Sequence, residues 1–173
     1  MKHYIFVSLV TWLCFGLILS ACKNQEDSNN DYLLLMGESE SWNLNSYEIE
    51  ITQKEFKAGH GTLKMKNNKE YNTDSFQFET HAIINDEDKT VHSGSVSGLG
   101  IDIAEKTTGT IEGGTYLKEN GELISLDDVN DIYMIIEWWN PIKNRKVKER
   151  IDLYHSKNKS ISYSKHVENN EGE

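Results

Sequence analysis

Cysteine and proline are almost absent from this chain, and each scarcity excludes something. The two cysteines, Cys14 and Cys22, both lie near the N-terminus, so everything after them lacks a thiol for a disulfide, a nucleophile or a soft metal site. Stability must then come from an ordinary packed core. One proline, Pro141, and 12 glycines in 173 residues rule out a proline- or glycine-rich low-complexity chain. Cations are outnumbered too: 18 Lys and Arg face 28 Asp and Glu, a formal charge of -10. Phosphate backbones repel such a chain, which argues against nucleic acid as a partner, and anionic headgroups repel it as well. A hydrophobic share of 37% is enough for a core, and the length fits one domain rather than two.

What is present begins with an apolar run, Tyr4 to Leu19, behind the basic start Met1-Lys2-His3. Its length of roughly 16 residues falls short of the roughly 20 that span a bilayer comfortably. A basic start, a short apolar stretch and a small-residue exit predict an export signal. The exit, Leu19-Ser20-Ala21-Cys22, resembles the lipobox of bacterial lipoprotein signals at every position. The resemblance implies a thioether-linked diacylglycerol on Cys22 and cleavage between Ala21 and Cys22. Two acyl chains are what stable anchoring requires. Residues 1–21 hold one Lys and no acid, so their removal leaves 17 cations against 28 acids, a charge of -11. Residues 23–31 are polar and aperiodic and read as a tether, whose nine residues reach about 30 Å when extended.

From Tyr32 onward the hydrophobic period is two, which predicts strands. Tyr47, Ile49 and Ile51 alternate with polar residues, as do Leu63 and Met65, then Phe76, Phe78, Thr80 and Ala82. Val91 and Val96 sit in a Ser/Gly-rich stretch that reads as a bulged or edge strand. Ile132 to Ile136 is apolar on both faces and predicts a central strand. Trp138-Trp139, the turn residues Asn140 to Asn144, and the alternation of Val147, Ile151 and Leu153 predict a closing hairpin. Helix is scarce, with a turn of it expected only around Ser125 to Asn130. The expected fold is all-β: a single antiparallel β-sandwich over 32–155, with an immunoglobulin-like arrangement one option. It follows a signal peptide (1–21) and a lipidated Cys22 with its tether (22–31). The polar tail 156–173 is expected to fray.

Two segments carry a family resemblance. Met36-Gly37-Glu38-Ser39-Glu40-Ser41-Trp42 resembles the Gly-Glu-Ser-x-x-Trp opening of uncharacterised small lipoproteins of Gram-positive bacteria. Ile136-Glu137-Trp138 and the hairpin after it resemble the ending of that group, with Trp139 inserted. The middle of the domain matches only loosely. The resemblance implies an exported all-β domain and brings no activity with it.

Candidate chemistry is thin. His60, His81, His92, His155 and His166 show no i, i+4 pair, and no cysteine joins them. His81 and His92 could meet, with Glu79, if their strands pair across the Asn85–Asp88 turn; the blander reading is two polar residues on a solvated face. The acids at Asp86 to Asp88 and Asp127 to Asp131 lack the spacing of a calcium loop and read as turns. No metal and no cofactor is expected. Ser95, in a Ser/Gly loop, is not on a strand-to-helix elbow.

Trp42, Trp138 and Trp139 are the candidate ligand contacts. Neighbours on a strand face opposite ways, so Trp138 and Trp139 cannot both enter one single-sided core. Either one is exposed and free to stack on a sugar ring, or a loop such as Gly37–Trp42 covers the outer face. The chain reads as a membrane-anchored extracytoplasmic lipoprotein, a non-enzymatic binding or sensing module whose partner is an envelope protein or glycan. The alternatives are an envelope-active hydrolase with two catalytic carboxylates, or a carbohydrate-binding module using exposed tryptophan. A solute-binding lipoprotein needs two lobes that do not fit this length.

Overall fold

The computed structural model describes residues 30–157, apart from 53 and 111, together with 163–164. The expected signal peptide with Ala21, the lipidation residue Cys22 and nearly all of the tether lie outside the described residues.

Within them the chain forms β1 (Asp31–Glu38), β2 (Trp42–Ile51), β3 (Phe56–Gly59), β4 (Thr62–Met65), β5 (Asn72–Ile84) and β6 (Glu87–Asp102). There follow β7 (Glu105–Thr107), β8 (Glu112–Gly114), β9 (Val129–Asn140), β10 (Arg145–His155) and β11 (Tyr163–Ser164). A single 3-10 turn, Leu126–Asp128, precedes β9, where the sequence predicts a turn of helix. One antiparallel sheet has the order β11-β1-β2-β3-β8, with β4 pairing both β2 and β7; the other has the order β10-β9-β5-β6.

The two sheets pack face to face as a β-sandwich, because each strand turns one face inward. The predicted alternating sets supply the core: Ile49, Ile51, Leu63, Phe76, Phe78, Ala82, Ile132, Met134, Ile136 and Ile151 are all buried in one cluster. The strand that is apolar on both faces, β9, lies between β5 and β10 as its sequence requires. The Ser/Gly-rich segment belongs to β6, an edge strand with register shifts against β5.

Three details depart from the sequence reading. The order is not immunoglobulin-like: there the second strands of two hairpins adjoin in the four-stranded sheet, whereas here the first strands, β5 and β9, adjoin. Residues 163–164 of the expected tail pair with Leu33 and Leu34 as an edge strand. β1 itself is hidden in the sequence, since Leu33 and Leu35 face inward while Leu34 and Met36, equally apolar, face out.

Candidate functional site

The two segments that carry the family resemblance meet at one pole of the sandwich. Gly37 sits where β1 crosses β10, and a Cβ there would lie 2.5 Å from Ile151 Cγ2 and 2.9 Å from the Asp152 carbonyl oxygen. Only glycine allows that approach. In the turn that follows, the Glu149 carboxylate on β10 accepts three hydrogen bonds: Ser39 Oγ at 2.7 Å, Ser41 N–H at 2.8 Å and Ser41 Oγ at 2.6 Å. Glu38 pairs with Lys66 at 2.9 Å. Trp42 then enters the core, edge-to-face with Trp138 at 5.6 Å between ring centroids and tilted against Phe76 at 5.5 Å. The Gly-Glu-Ser-x-x-Trp element therefore acts as a latch between the sheets.

This placement removes two of the three tryptophans as ligand contacts. Trp42 is 0% and Trp138 3% exposed, both with the indole N–H unpartnered among the described residues. The large apolar area buried, together with the edge-to-face contact, offsets those lost hydrogen bonds. Trp139 is half-buried on the outward face, opposite Trp138 as alternation demands. The Gly37–Trp42 segment does not cover that face; it lies between the sheets.

The histidines separate because the bulge expected in the Ser/Gly-rich strand falls between His92 and the hairpin turn. Asn85 and Asp86, with φ of 51° and 63°, make the two-residue turn joining β5 to β6. Regular pairing from that turn would set His92 opposite Glu79, on the same face as His81. A bulge at Val91 shifts the register, and His92 pairs with Thr80 instead. His92 is consequently buried: its Nδ1 is 2.8 Å from Tyr47 Oη, and that hydroxyl donates to Thr80 Oγ1 at 2.9 Å. His81 stays outside, so the His81–His92–Glu79 grouping does not form.

Around His81 the outward face of the four-stranded sheet holds a connected polar cluster. Tyr133 is only 9% exposed although it points out of the sandwich. On the β5 side the His81 ring stacks on it, 4.9 Å away and inclined by 3°; on the β10 side the Arg150 guanidinium lies 3.7 Å from its centroid. Its hydroxyl donates to Asp88 Oδ2 at 2.6 Å, and Asp88 Oδ1 is 2.8 Å from His81 Nδ1. Glu79 lies 3.5 Å from His81 Nε2, and Asp152 accepts from Arg150 Nε at 2.6 Å. The Tyr133 hydrogen bond, helped by His81 and Arg150, holds the Asp88 carboxyl below its ordinary value despite some burial. Burial and the facing Asp88 carboxylate push the Tyr133 phenol up. Such an arrangement presents fixed donors and acceptors on a sheet surface. Because both faces of the Tyr133 ring are occupied, it offers no platform for a sugar.

The acidic turns are occupied in building the fold. Asp128 accepts from Ser125 N–H and Oγ and pairs with Lys118 at 2.9 Å; Asn130 donates to Asp86, and Asp131 faces His155. No group of three or more His, Cys, Asp or Glu side chains among the described residues is arranged to hold a metal ion. His60 contacts Glu48 at 3.2 Å on the exposed surface of the other sheet. Comparison with models of protein families, with curated proteins and with solved structures found no match.

Proposed function

We propose that the chain is a lipid-anchored, extracytoplasmic binding module, tethered through an acylated Cys22 and recognising an envelope partner with the outward face of the four-stranded sheet. The lipobox Leu19-Ser20-Ala21-Cys22 supports the address. One observation carries the binding reading: Tyr133, His81, Asp88 and Arg150 are locked by one another on a solvated face, a pre-organised polar surface that the packing of the sandwich does not require. Pre-organised groups bind with less ordering cost, so a partner's peptide or hydroxyl groups gain most from meeting them there. Glu79 and Arg150 give the face charges of both signs for orienting that partner.

A hydrolase reading rests on Glu79 and Asp88, which flank the same imidazole. It predicts turnover of an envelope glycan that Asp88→Asn abolishes, whereas the binding reading predicts none. For binding itself, the test is capture from envelope extract by the domain and by a Glu79→Lys, Arg150→Glu variant. The same component should be enriched by the first and lost with the second. Equal capture by both, or none by either, counts against the reading.

A further inference from the structure

Acids lie at both poles of the sandwich, with Glu38, Asp74 and Asp102 at the pole where Trp42 meets Trp138, but one hairpin there is purely cationic. The pole where β1 begins gathers Asp31, Asp86, Asp127, Asp128 and Asp131, with the Leu126 N–H donating to Asp31 across it. The opposite pole, where Trp42 meets Trp138, carries the β9–β10 hairpin. In residues 139–148 of this acidic chain Lys143, Arg145, Lys146 and Lys148 occur with no acid among them. Lys146 bonds to Glu137 at 2.6 Å, and the other flanking acid, Glu149, is held by Ser39 and Ser41. Lys143, Arg145 and Lys148 have no hydrogen-bonding or ion-pair partner for their side chains among the described residues.

At the tip Ile142 is 89% exposed. It is held there: Asn140 Oδ1 accepts from the N–H groups of Ile142 at 3.0 Å and Lys143 at 2.9 Å, fixing the turn. A rigid turn that presents an isoleucine among unpaired cations, above a half-buried tryptophan, has the chemistry of a lipid interface. Apolar side chains enter the headgroup layer while Lys and Arg reach lipid phosphates. A polyanion in solution would meet the cations but would give Ile142 nothing to enter.

We infer that the β9–β10 hairpin docks on an anionic lipid surface, with Ile142 inserted and Lys143, Arg145 and Lys148 on the phosphates. The docking orients the domain. β9, which runs from one pole to the other, spans about 40 Å and the tether reaches about 30 Å, so a domain held at Cys22 brings its far pole to the same membrane by lying on its side. The membrane setting rests on the anchor reading, but the contact can be tested without it.

Every residue of the core cluster lies between Leu33 and Tyr154, so residues 22–173 contain the whole folding unit. Cys22 is their only thiol and can be coupled to a maleimide phospholipid, which tethers the domain whether or not a cell acylates it. Hydrogen exchange over residues 141–146 is then compared on phosphatidylcholine vesicles and on vesicles containing phosphatidylglycerol. Exchange should slow on the anionic vesicles alone and recover in high salt. Lys143→Gln and Lys148→Gln should each weaken docking about five-fold, and Ile142→Ser should weaken it further without changing exchange in the core. Equal exchange on both vesicles overturns the inference, as does slowing that survives Ile142→Ser combined with Lys143→Gln and Arg145→Gln. Slowing by soluble polyphosphate but not by anionic vesicles also overturns it, in favour of a polymer.

Discussion

Replacing Glu149 by alanine removes the acceptor that ties the β1–β2 turn to β10. Three hydrogen bonds of 2.6 to 2.8 Å end on that one carboxylate. A hydrogen bond to a charged acceptor contributes about 1.5–3 kcal/mol, but these are partly buried and water replaces some of each. The loss should therefore total about 2–4 kcal/mol rather than three full bonds. For a domain of this size, 1 kcal/mol moves Tm by roughly 3–4 °C, which places Glu149→Ala about 10 °C below the parent. Glu149→Gln, which keeps an acceptor oxygen without the charge, should fall about halfway. The assay is thermal unfolding of residues 22–173 followed by circular dichroism, extended to a double-mutant cycle with Ser41→Ala. A shared interaction makes the pair non-additive by about 1–2 kcal/mol. A Tm within about 2 °C of the parent for Glu149→Ala, or strict additivity with Ser41→Ala, would refute the latch.

Other outcomes follow from the same contacts. Gly37→Ala forces a methyl to within 2.5 Å of Ile151 and 2.9 Å of a backbone oxygen, and should cost about 1–3 kcal/mol in chemical denaturation. Trp138→Ala should cost about 3–5 kcal/mol, while Trp139→Ala, on the outward face, should cost far less; acrylamide should quench mainly Trp139 in the folded domain. Acid should destabilise the fold. Asp88, held down first by the Tyr133 hydroxyl, and Asp102, held down by the N–H groups of Tyr71 and Ala104, both lie below 3.8 when folded. Asp128 joins them, because Ser125 and Lys118 outweigh the upward push of its burial. A depressed carboxylate contributes stability that is complete above its unfolded pKa and is lost as pH falls through the folded one. Melts should show these contributions intact at pH 5 and 7 and diminishing below about pH 4, with a smaller loss in Asp88→Asn.

The strands were legible where one face is apolar and the other wet. Tyr47–Ile51 and Phe76–Ala82 fall on the expected strands because burial on a single face leaves a period of two in the sequence, and Ile132–Ile136, apolar on both faces, falls on the expected central strand. β1 was not legible, since Leu34 and Met36 are apolar on the outward side and erase that period. Nor was the position of His92. A single extra residue, Val91, turns it inward; the Ser/Gly-rich stretch signals a bulged or edge strand but not the residue at which the register shifts. The outward cluster assembles Glu79 and His81 from β5, Asp88 from β6, Tyr133 from β9 and Arg150 from β10. Only the register brings those residues together. The latch was half legible: the Gly37–Trp42 segment is recognisable in the chain, but its partner Glu149 lies 108 residues beyond Ser41.

Cys22 is the proposed anchor, and metabolic labelling with a clickable fatty acid tests that proposal most directly. The intact chain, expressed in a bacterium that makes lipoproteins, should carry the label and fractionate with membranes; Cys22→Ala should carry none. Label that survives Cys22→Ala, or an intact chain that takes up none, would contradict it.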